Sequence, residues 1–292
     1  MNILKFTKFF MIMSVILIIS GLAIIFIYGF KTSIEYTGGS VIKVSGLIDF
    51  KTKVSQVSQD LNFEVKDLYE SGNLVVLKTS ETDNQKVQKI VSSLKGISND
   101  VKVTDIEVIG SSVGIEFAKN SFLALVISLM GIILYVAYSF SPVSERISSW
   151  YFSVAAVVAI FHDVLAVTSF FSIAGYLYNI EIDALFLTAL LTIIGFSIND
   201  TIVVFDRIRE NLKKYENSKT LVEIFNLSIF ETLNRSIITS FTVIIIMFAL
   251  YLLGAGSIKY FSLALVIGIA FGTYSSIFIA SPIVLFLKKA RK

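Results

Sequence analysis

The sequence predicts an α-helical integral membrane protein with six transmembrane helices and one α+β, ferredoxin-like (βαββαβ) extracytoplasmic domain between spans one and two. Three observations carry this expectation. Hydrophobic residues make up 55% of the chain against 16% charged, and the mean hydropathy is +0.79, a balance that soluble globular domains do not keep. Six stretches are apolar for long enough to cross about 30 Å of hydrocarbon as helices. The polar remainder is mostly one block, residues 31–120.

The six stretches are Phe9–Gly29, Ser121–Phe140, Trp150–Ile173, Ala184–Phe205, Ser236–Leu253 and Phe261–Leu287. Lys5 and Lys8 precede the first one as they would a signal peptide, but its apolar core has no convincing cleavage site, so it reads as a retained span. Basic residues of short loops collect on the cytoplasmic side. Lys5 and Lys8, then Arg146, then Arg207, Arg209, Lys213, Lys214 and Lys219, and finally Lys288, Lys289, Arg291 and Lys292 mark four inner segments. The connection 174–183 carries Glu181 and Asp183 but no basic residue, and the connection before the sixth span carries only Lys259. Both read as outer. The expected organisation is thus a first transmembrane helix with cytoplasmic N-terminus in 1–30, an extracytoplasmic domain in 31–120, and five transmembrane helices with cytoplasmic C-terminus in 121–292.

Within the outer block, period-two runs alternate with helical patterns. Val41–Val44 reads as a strand, Phe50–Leu61 as a helix, and Glu64–Tyr69 and Leu74–Thr79 as strands joined by Ser71-Gly72-Asn73. Asp83 caps a helix to about Leu94, and Val101–Ile109 closes as a strand. That order is a split βαβ unit with two helices on one face of one sheet. Its carboxylates are scattered and it has no His, so it offers no catalytic set. The glycine-bearing segments flanking it, Tyr36-Thr37-Gly38-Gly39-Ser40 and Gly110-Ser111-Ser112-Val113-Gly114, are either plain junctions between membrane helix and sheet or a hinge.

Charge inside the spans is scarce and therefore informative. An ionised side chain near the bilayer centre costs about 3 kcal/mol or more, so such residues face a bundle interior or a wet path. Asp200, beside Asn199, interrupts an apolar run in the fourth span and reads as a proton carrier. His162 and Asp163 lie mid-way along the third, where Asp163 is either a helix-to-helix hydrogen bond or a second acid of the same path. Asn199 is placed to orient a partner. Arg235 opens the fifth span and is either a basic residue at an inner helix end or the cation opposite Asp200. A carboxyl that alternates between apolar surroundings and a nearby cation can carry protons. The segment Asp206–Asn211 has the spacing of an amphipathic exit from the membrane. In the sixth span Ala264, Gly268, Gly272, Ser276 and Ala280 recur every fourth residue, a stripe for close helix packing in which Gly268 and Gly272 are the key positions.

Several classes are excluded. The chain has no cysteine and one histidine, which leaves no disulfide, no thiolate site and no metal-ligand set. The absence of a Gly-Lys-Ser/Thr loop argues against a bound nucleotide, and no cofactor is expected. The net charge of +3 gives no case for nucleic acid. An aspartyl protease built on Asp163 and Asp200 would need the two side chains within hydrogen-bond reach. The rise per residue instead places them at different depths, and the Gly-x-Gly-Asp context of such proteases is missing.

The fourth-span segment GFSINDTIVVFDRIREN, residues 195–211, resembles the signature of the SecF family, the smaller membrane subunit of the bacterial SecD–SecF accessory complex for protein export. Tyr36-Thr37-Gly38-Gly39-Ser40, Ala159–Val164, Ile180–Asp183 and Thr232–Ser236 with Thr239-Ser240 stand in the family's order, so the resemblance covers nearly the whole chain. Glu35-Tyr36, where the family commonly has Asp-Phe, and Asn234, where a His occurs, are departures that do not touch the acid. The resemblance implies half of a resistance–nodulation–division transporter that pairs with SecD in the bacterial cytoplasmic (inner) membrane and is not an enzyme. It implies a proton path through Asp200, with Arg235 as its charged partner, Asp163 and Asn199 beside it, and an outer domain hinged near Gly38, Gly39 and Gly114 that draws polypeptide outward. The partners implied are SecD, the SecYEG channel, YajC, unfolded preprotein and membrane lipids. The alternative from another class is a proton-coupled half-transporter exporting lipids or small molecules, against which the single small outer domain argues.

Overall fold

A computed structural model describes residues 7–46, 49–71, 73–97, 100–139, 147–215, 218–254 and 256–290. Lys5, Arg146, Arg291 and Lys292, used above for orientation, and Gly72 of the predicted turn lie outside the described residues. The chain divides into two compact units, one of residues 1–31 with 124–292 and one of residues 32–123.

The smaller unit holds β1 (Gly39–Ser45), α3 (Phe50–Asp60), β2 (Val65–Ser71), β3 (Leu74–Thr79), α4 (Asn84–Gly96) and β4 (Lys102–Ile109), preceded by the single turn α2 (Ile34–Thr37). All pairings are antiparallel, in the order β2-β3-β1-β4, which is the ferredoxin-like arrangement. Period two sorts the strand side chains. Ile42, Val44, Val75 and Leu77 face Val54 and Val57 of α3 and Val87, Ile90, Val91 and Leu94 of α4. Val41 and Val76 point the other way, against Ile34. The Asp83 carboxylate caps α4 by accepting the Gln85 amide at 2.9 Å, as its position predicted.

On the exposed side of the sheet Lys43 lies opposite Asp105 and diagonal to Glu107, donating to them at 2.8 and 3.0 Å. The hydrogen bond to Asp105, with Glu107 next, holds the Lys43 amine above its usual value, and the Lys43 bond holds the Asp105 carboxyl below its own. A depressed acid stabilises above its unfolded value and loses that contribution as pH falls through its folded one; a raised amine stabilises below its unfolded value and loses it as pH rises through its folded one. Asp105→Asn is therefore expected to lower the thermal midpoint of this unit slightly at neutral pH and not at all well below the aspartate range. Calorimetry of the full chain at both pH values checks this.

The larger unit is helical: α1 (Thr7–Tyr28), the distal part of α5 (Ser111–Ser139), α6 (Ser149–Tyr178), α7 (Ala184–Lys214), α8 (Leu221–Leu253), α9 (Ser257–Ser275) and α10 (Ser281–Ala290), the last two joined by a π-turn, Ser276–Ala280. Among the described residues, six helical spans are long and apolar enough to cross a membrane, α9 through α10 counting as one. α6 is the most buried, and α1, α5 and α8 show long apolar faces outward. Phe152, Phe205 and Phe225 from α6, α7 and α8 meet in the core. α7 and α9 form the most extensive helix pair of this unit.

Several helices outrun the apolar windows that predicted them. α5 begins at Ser111 rather than Ser121, with Glu116 and Lys119 in its polar early turns, and α7 continues through Asp206–Asn211 to Lys214. α8 begins at Leu221 rather than Ser236. Its start is fixed by a capping box in which the Thr220 hydroxyl accepts the Glu223 amide at 3.3 Å and the Glu223 carboxylate accepts the Thr220 amide at 2.8 Å. The π-turn precedes Pro282, which has no amide to donate and would crowd a regular turn. Ser281 Oγ donates to the Ser276 carbonyl at 3.3 Å.

Candidate functional site

Asp163 on α6 and Asp200 on α7 converge on α9. Asp163 is fully buried; its Oδ2 accepts from Ser197 Oγ at 2.6 Å and Ser275 Oγ at 2.7 Å, and its Oδ1 lies 3.0 Å from His162 Nδ1. Asp200 is 7% exposed and accepts from Ser236 Oγ at 2.5 Å and Ser276 Oγ at 2.6 Å. All four serines are buried. Each carboxylate thus sits between hydroxyl donors from two other helices, the arrangement that makes a buried charge tolerable.

Ser197, which donates to Asp163, lies three residues before Asp200 on α7, so the acids are separated by about one turn along that helix. The two carboxyls do not bond each other among the described residues; serines stand between them.

His162 has no exposed surface, its ring centroid lies 5.9 Å from those of Phe271 and Tyr274, and its Nε2 is buried without a hydrogen-bond partner among the described residues. Tyr274 in turn donates to the Phe10 carbonyl at 2.9 Å and meets Ser14 Oγ at 3.0 Å, fastening α1 to α9. Arg235, adjacent in sequence to Ser236, is exposed and makes no ion pair among the described residues. Asn199 is exposed and bonds neither acid: neighbouring residues on a helix point about 100° apart, so burial of Asp200 turns Asn199 outward.

The glycines of the sixth span meet α7 in register. A Cβ on Gly268 would fall against the Ile193 side chain, and one on Gly272 would lie 3.2 Å from Ser197 Cβ and 3.6 Å from Asp163 Oδ2. Four residues further, Ser276 meets Asp200. One edge of the small-residue stripe is therefore also the floor of the acid site. Ser197 and Ser236 stand inside the segments that carry the family resemblance but with no role given to either, Ser275 carries no signal in the sequence, and Ser276 reads there only as a small packing residue.

Gly38, Gly39 and Gly114 lie in the smaller unit, where the end of α2 crosses the first turn of α5. Gly38 has φ 72° and a Cβ there would stand 2.6 Å from Ser111 Cα; one on Gly114 would stand 2.8 Å from Gly38 N and 3.0 Å from the Tyr36 carbonyl oxygen. These backbones touch directly, so side chains are excluded by contact as well as by conformation.

At the other end of α7, the amphipathic segment is tied to α8. Arg207 donates through Nε to Glu231 at 2.7 Å and through Nη1 to Glu210 at 2.6 Å, while Asn211 Nδ2 donates to Glu231 at 2.7 Å and Ser228 at 3.0 Å.

A six-span membrane helix bundle with a ferredoxin-like unit between its first two spans, and with a pair of acids buried on the third and fourth, defines a class of transporter-like proteins. The family model described as "Protein export membrane protein SecD/SecF, C-terminal" matches residues 89–290. The protein translocase subunit SecF of Thermobaculum terrenum is 36% identical over 96% of this chain and 92% of its own length, and that of Haemophilus influenzae 34% identical over 96% and 84%. The protein translocase subunit SecDF of Bacillus subtilis is 34% identical over 94% of this chain but 36% of its own length. The crystal structure of SecDF from Thermus thermophilus superposes with a TM-score of 0.84 at 30% identity, covering 99% of this chain and 39% of that one. A crystal structure of SecDF in a super-membrane-facing form gives 0.72 at 29% identity, again with 39% of that chain covered. The chain belongs to the SecD/SecF family of protein export membrane proteins.

Proposed function

We propose that this chain is the SecF-type half of a protein-export motor that pairs with SecD and uses the proton motive force to promote late translocation of preproteins across the cytoplasmic membrane. The observation that carries the reading is Asp200, a carboxylate buried in an apolar span and held by hydroxyls from Ser236 of α8, next in sequence to Arg235, and from Ser276 of the π-turn. Ionised, it accepts from Ser236 and Ser276 and attracts Arg235. Protonated, it is neutral and that attraction is gone. Successive protonation and release therefore alternate the force between α7 and α8, and one charge crossing 100 mV supplies about 2.3 kcal/mol per cycle. That is enough to bias a two-state element by about 50-fold.

The partner half is SecD, a reading supported by SecDF relatives of which this chain matches a little over a third. The exposed, unpaired Arg235 and the outward Asn199 fit a site completed by another chain. SecYEG and YajC are further partners, and unfolded preprotein is the substrate. The N- and C-termini and the basic end of α7 lie in the cytoplasm. Gly38, Gly39 and Gly114 form the base on which the outer domain hinges, since the left-handed turn at Gly38 admits no side chain. The test is export of a reporter preprotein in cells depleted of their own SecF and supplied with this chain, with and without a protonophore. Rescue that the protonophore abolishes supports the reading; rescue unaffected by it removes the proton from the mechanism.

A further inference from the structure

The two buried acids rest on consecutive residues of one helix. Ser275 Oγ donates to Asp163 Oδ2 at 2.7 Å, and Ser276 Oγ donates to Asp200 Oδ2 at 2.6 Å. Consecutive helical residues point about 100° apart, so the junction of α9 with the π-turn stands between the acids with one hydroxyl turned to each. Each hydroxyl also has a second acceptor within its own helix. Ser275 Oγ lies 3.1 Å from the Gly272 carbonyl oxygen, and Ser276 Oγ lies 3.0 Å from that of Thr273.

A serine hydroxyl has one proton to donate, so it serves either the acid or the helix carbonyl. When the acid is ionised, the serine proton goes to the carboxylate. When the acid is protonated, the carboxyl O–H donates to the serine oxygen, and the serine proton turns to Gly272 or Thr273. The backbone that receives it leads directly into the π-turn Ser276–Ala280, where the regular ladder is already broken ahead of Pro282. π-turns interrupting α-helices are frequent at functional positions. Gly272 adds the second link. Its missing side chain lets Ser197 and Asp163 approach α9, so a shift of this turn is felt at Asp163 directly.

We propose that Ser275 and Ser276 are positioning residues that make the proton occupancy of Asp163 and Asp200 interdependent, through the turn Gly272–Ser276 that both acids hold. This rests on reading Asp200 as a proton carrier and adds to it a second acid and a named coupling element. The charged and titratable groups beside the pair are His162 on α6 and Tyr274 on α9, with Arg235 next to Ser236 on α8, while α1 reaches the cluster through Ser14. His162 borders the Asp163 end, with Nδ1 on Asp163 and the buried Nε2 without a partner among the described residues.

The test uses the full chain purified with its SecD partner. Dicyclohexylcarbodiimide reacts with protonated buried carboxyls, and modification of Asp200 is quantified by peptide mass spectrometry across pH. Four forms are compared: wild type, Asp163→Asn, the pair Ser275→Ala with Ser276→Ala, and all three changes together. Asp163→Asn is expected to move the pH of half-maximal Asp200 labelling by about half a pH unit or more, roughly a threefold change in ionisation ratio. With both serines replaced, at least half of that displacement is expected to vanish. An equal displacement in both backgrounds overturns the inference while leaving Asp200 a carrier. Labelling of Asp200 that does not vary with pH overturns the carrier reading and this one together. If the paired alanine form does not assemble, Ser276→Cys, close in size and a weak donor, goes through the same comparison under the same criterion.

Discussion

Asp200→Asn is expected to abolish the proton-driven part of export, returning a SecF-depleted strain to the secretion level it shows without this chain. Asparagine fills nearly the same volume; Ser236 and Ser276 now bond separate carboxylate oxygens at 2.5 and 2.6 Å, and in the amide the oxygen accepts from one of them while the NH2 donates to the hydroxyl oxygen of the other. Packing is therefore retained. What is lost is the ability to bind and release a proton and, with it, the alternating attraction for Arg235. The change forfeits the whole of the roughly 2.3 kcal/mol per 100 mV that one transferred charge supplies, rather than a fraction of it. Because asparagine is neutral, it also removes the cost of a buried charge, so membrane levels and co-purification with SecD should equal those of wild type or exceed them. The measurement is secretion of a reporter preprotein at matched levels of the two proteins. Full rescue by the asparagine form would reduce Asp200 to a structural polar group, and the proton path would have to be abandoned.

The sequence carried the architecture for reasons that are local. A span must be a long apolar helix, so composition alone locates six of them, and period-two alternation between turn residues leaves little choice but the βαββαβ order of residues 39–109. Asp83 was legible as a cap because the capping residue acts on the amide two positions ahead. Thr220 and Glu223 carry an equally local signal, yet an apolar window centred on the hydrocarbon looks past a helix start that is polar. The acids were legible because charge in a span is rare. Their partners were not, because serine is an ordinary small residue in membrane helices, and which serines face an acid is decided by the pairing of α6, α7 and α8 with α9. Asn199 shows the same limit in reverse: adjacency to Asp200 in sequence suggested a shared role, whereas the helix turns the two residues to different faces.

Gly268→Leu is expected to give the largest loss of folding among single changes in the membrane unit, and the reason separates it from Asp200→Asn. At Gly268 even a Cβ would fall within the Ile193 side chain, touching three of its carbon atoms, so α7 and α9 cannot keep their spacing around a leucine. Close approach through small residues is what holds membrane helices together where lipid is as apolar as the side chains, and overpacking such a contact costs typically 1–3 kcal/mol or more. Since α7 and α9 present Ser197, Ser276 and Asp200 to one another along the same seam, separating them also pulls the acid site apart. The thermal midpoint in detergent and the amount assembled with SecD should both fall well below wild type. Gly268→Ala should show a milder version of the same defect, and Ile193→Ala in that background should restore much of it, because the obstructing atoms belong to one side chain. Asp200→Asn, by contrast, should leave both quantities intact and remove only export. A Gly268→Leu protein with wild-type stability and assembly would mean that the α7–α9 contact is not close in the membrane, and the geometry of the acid site built upon it would fall as well.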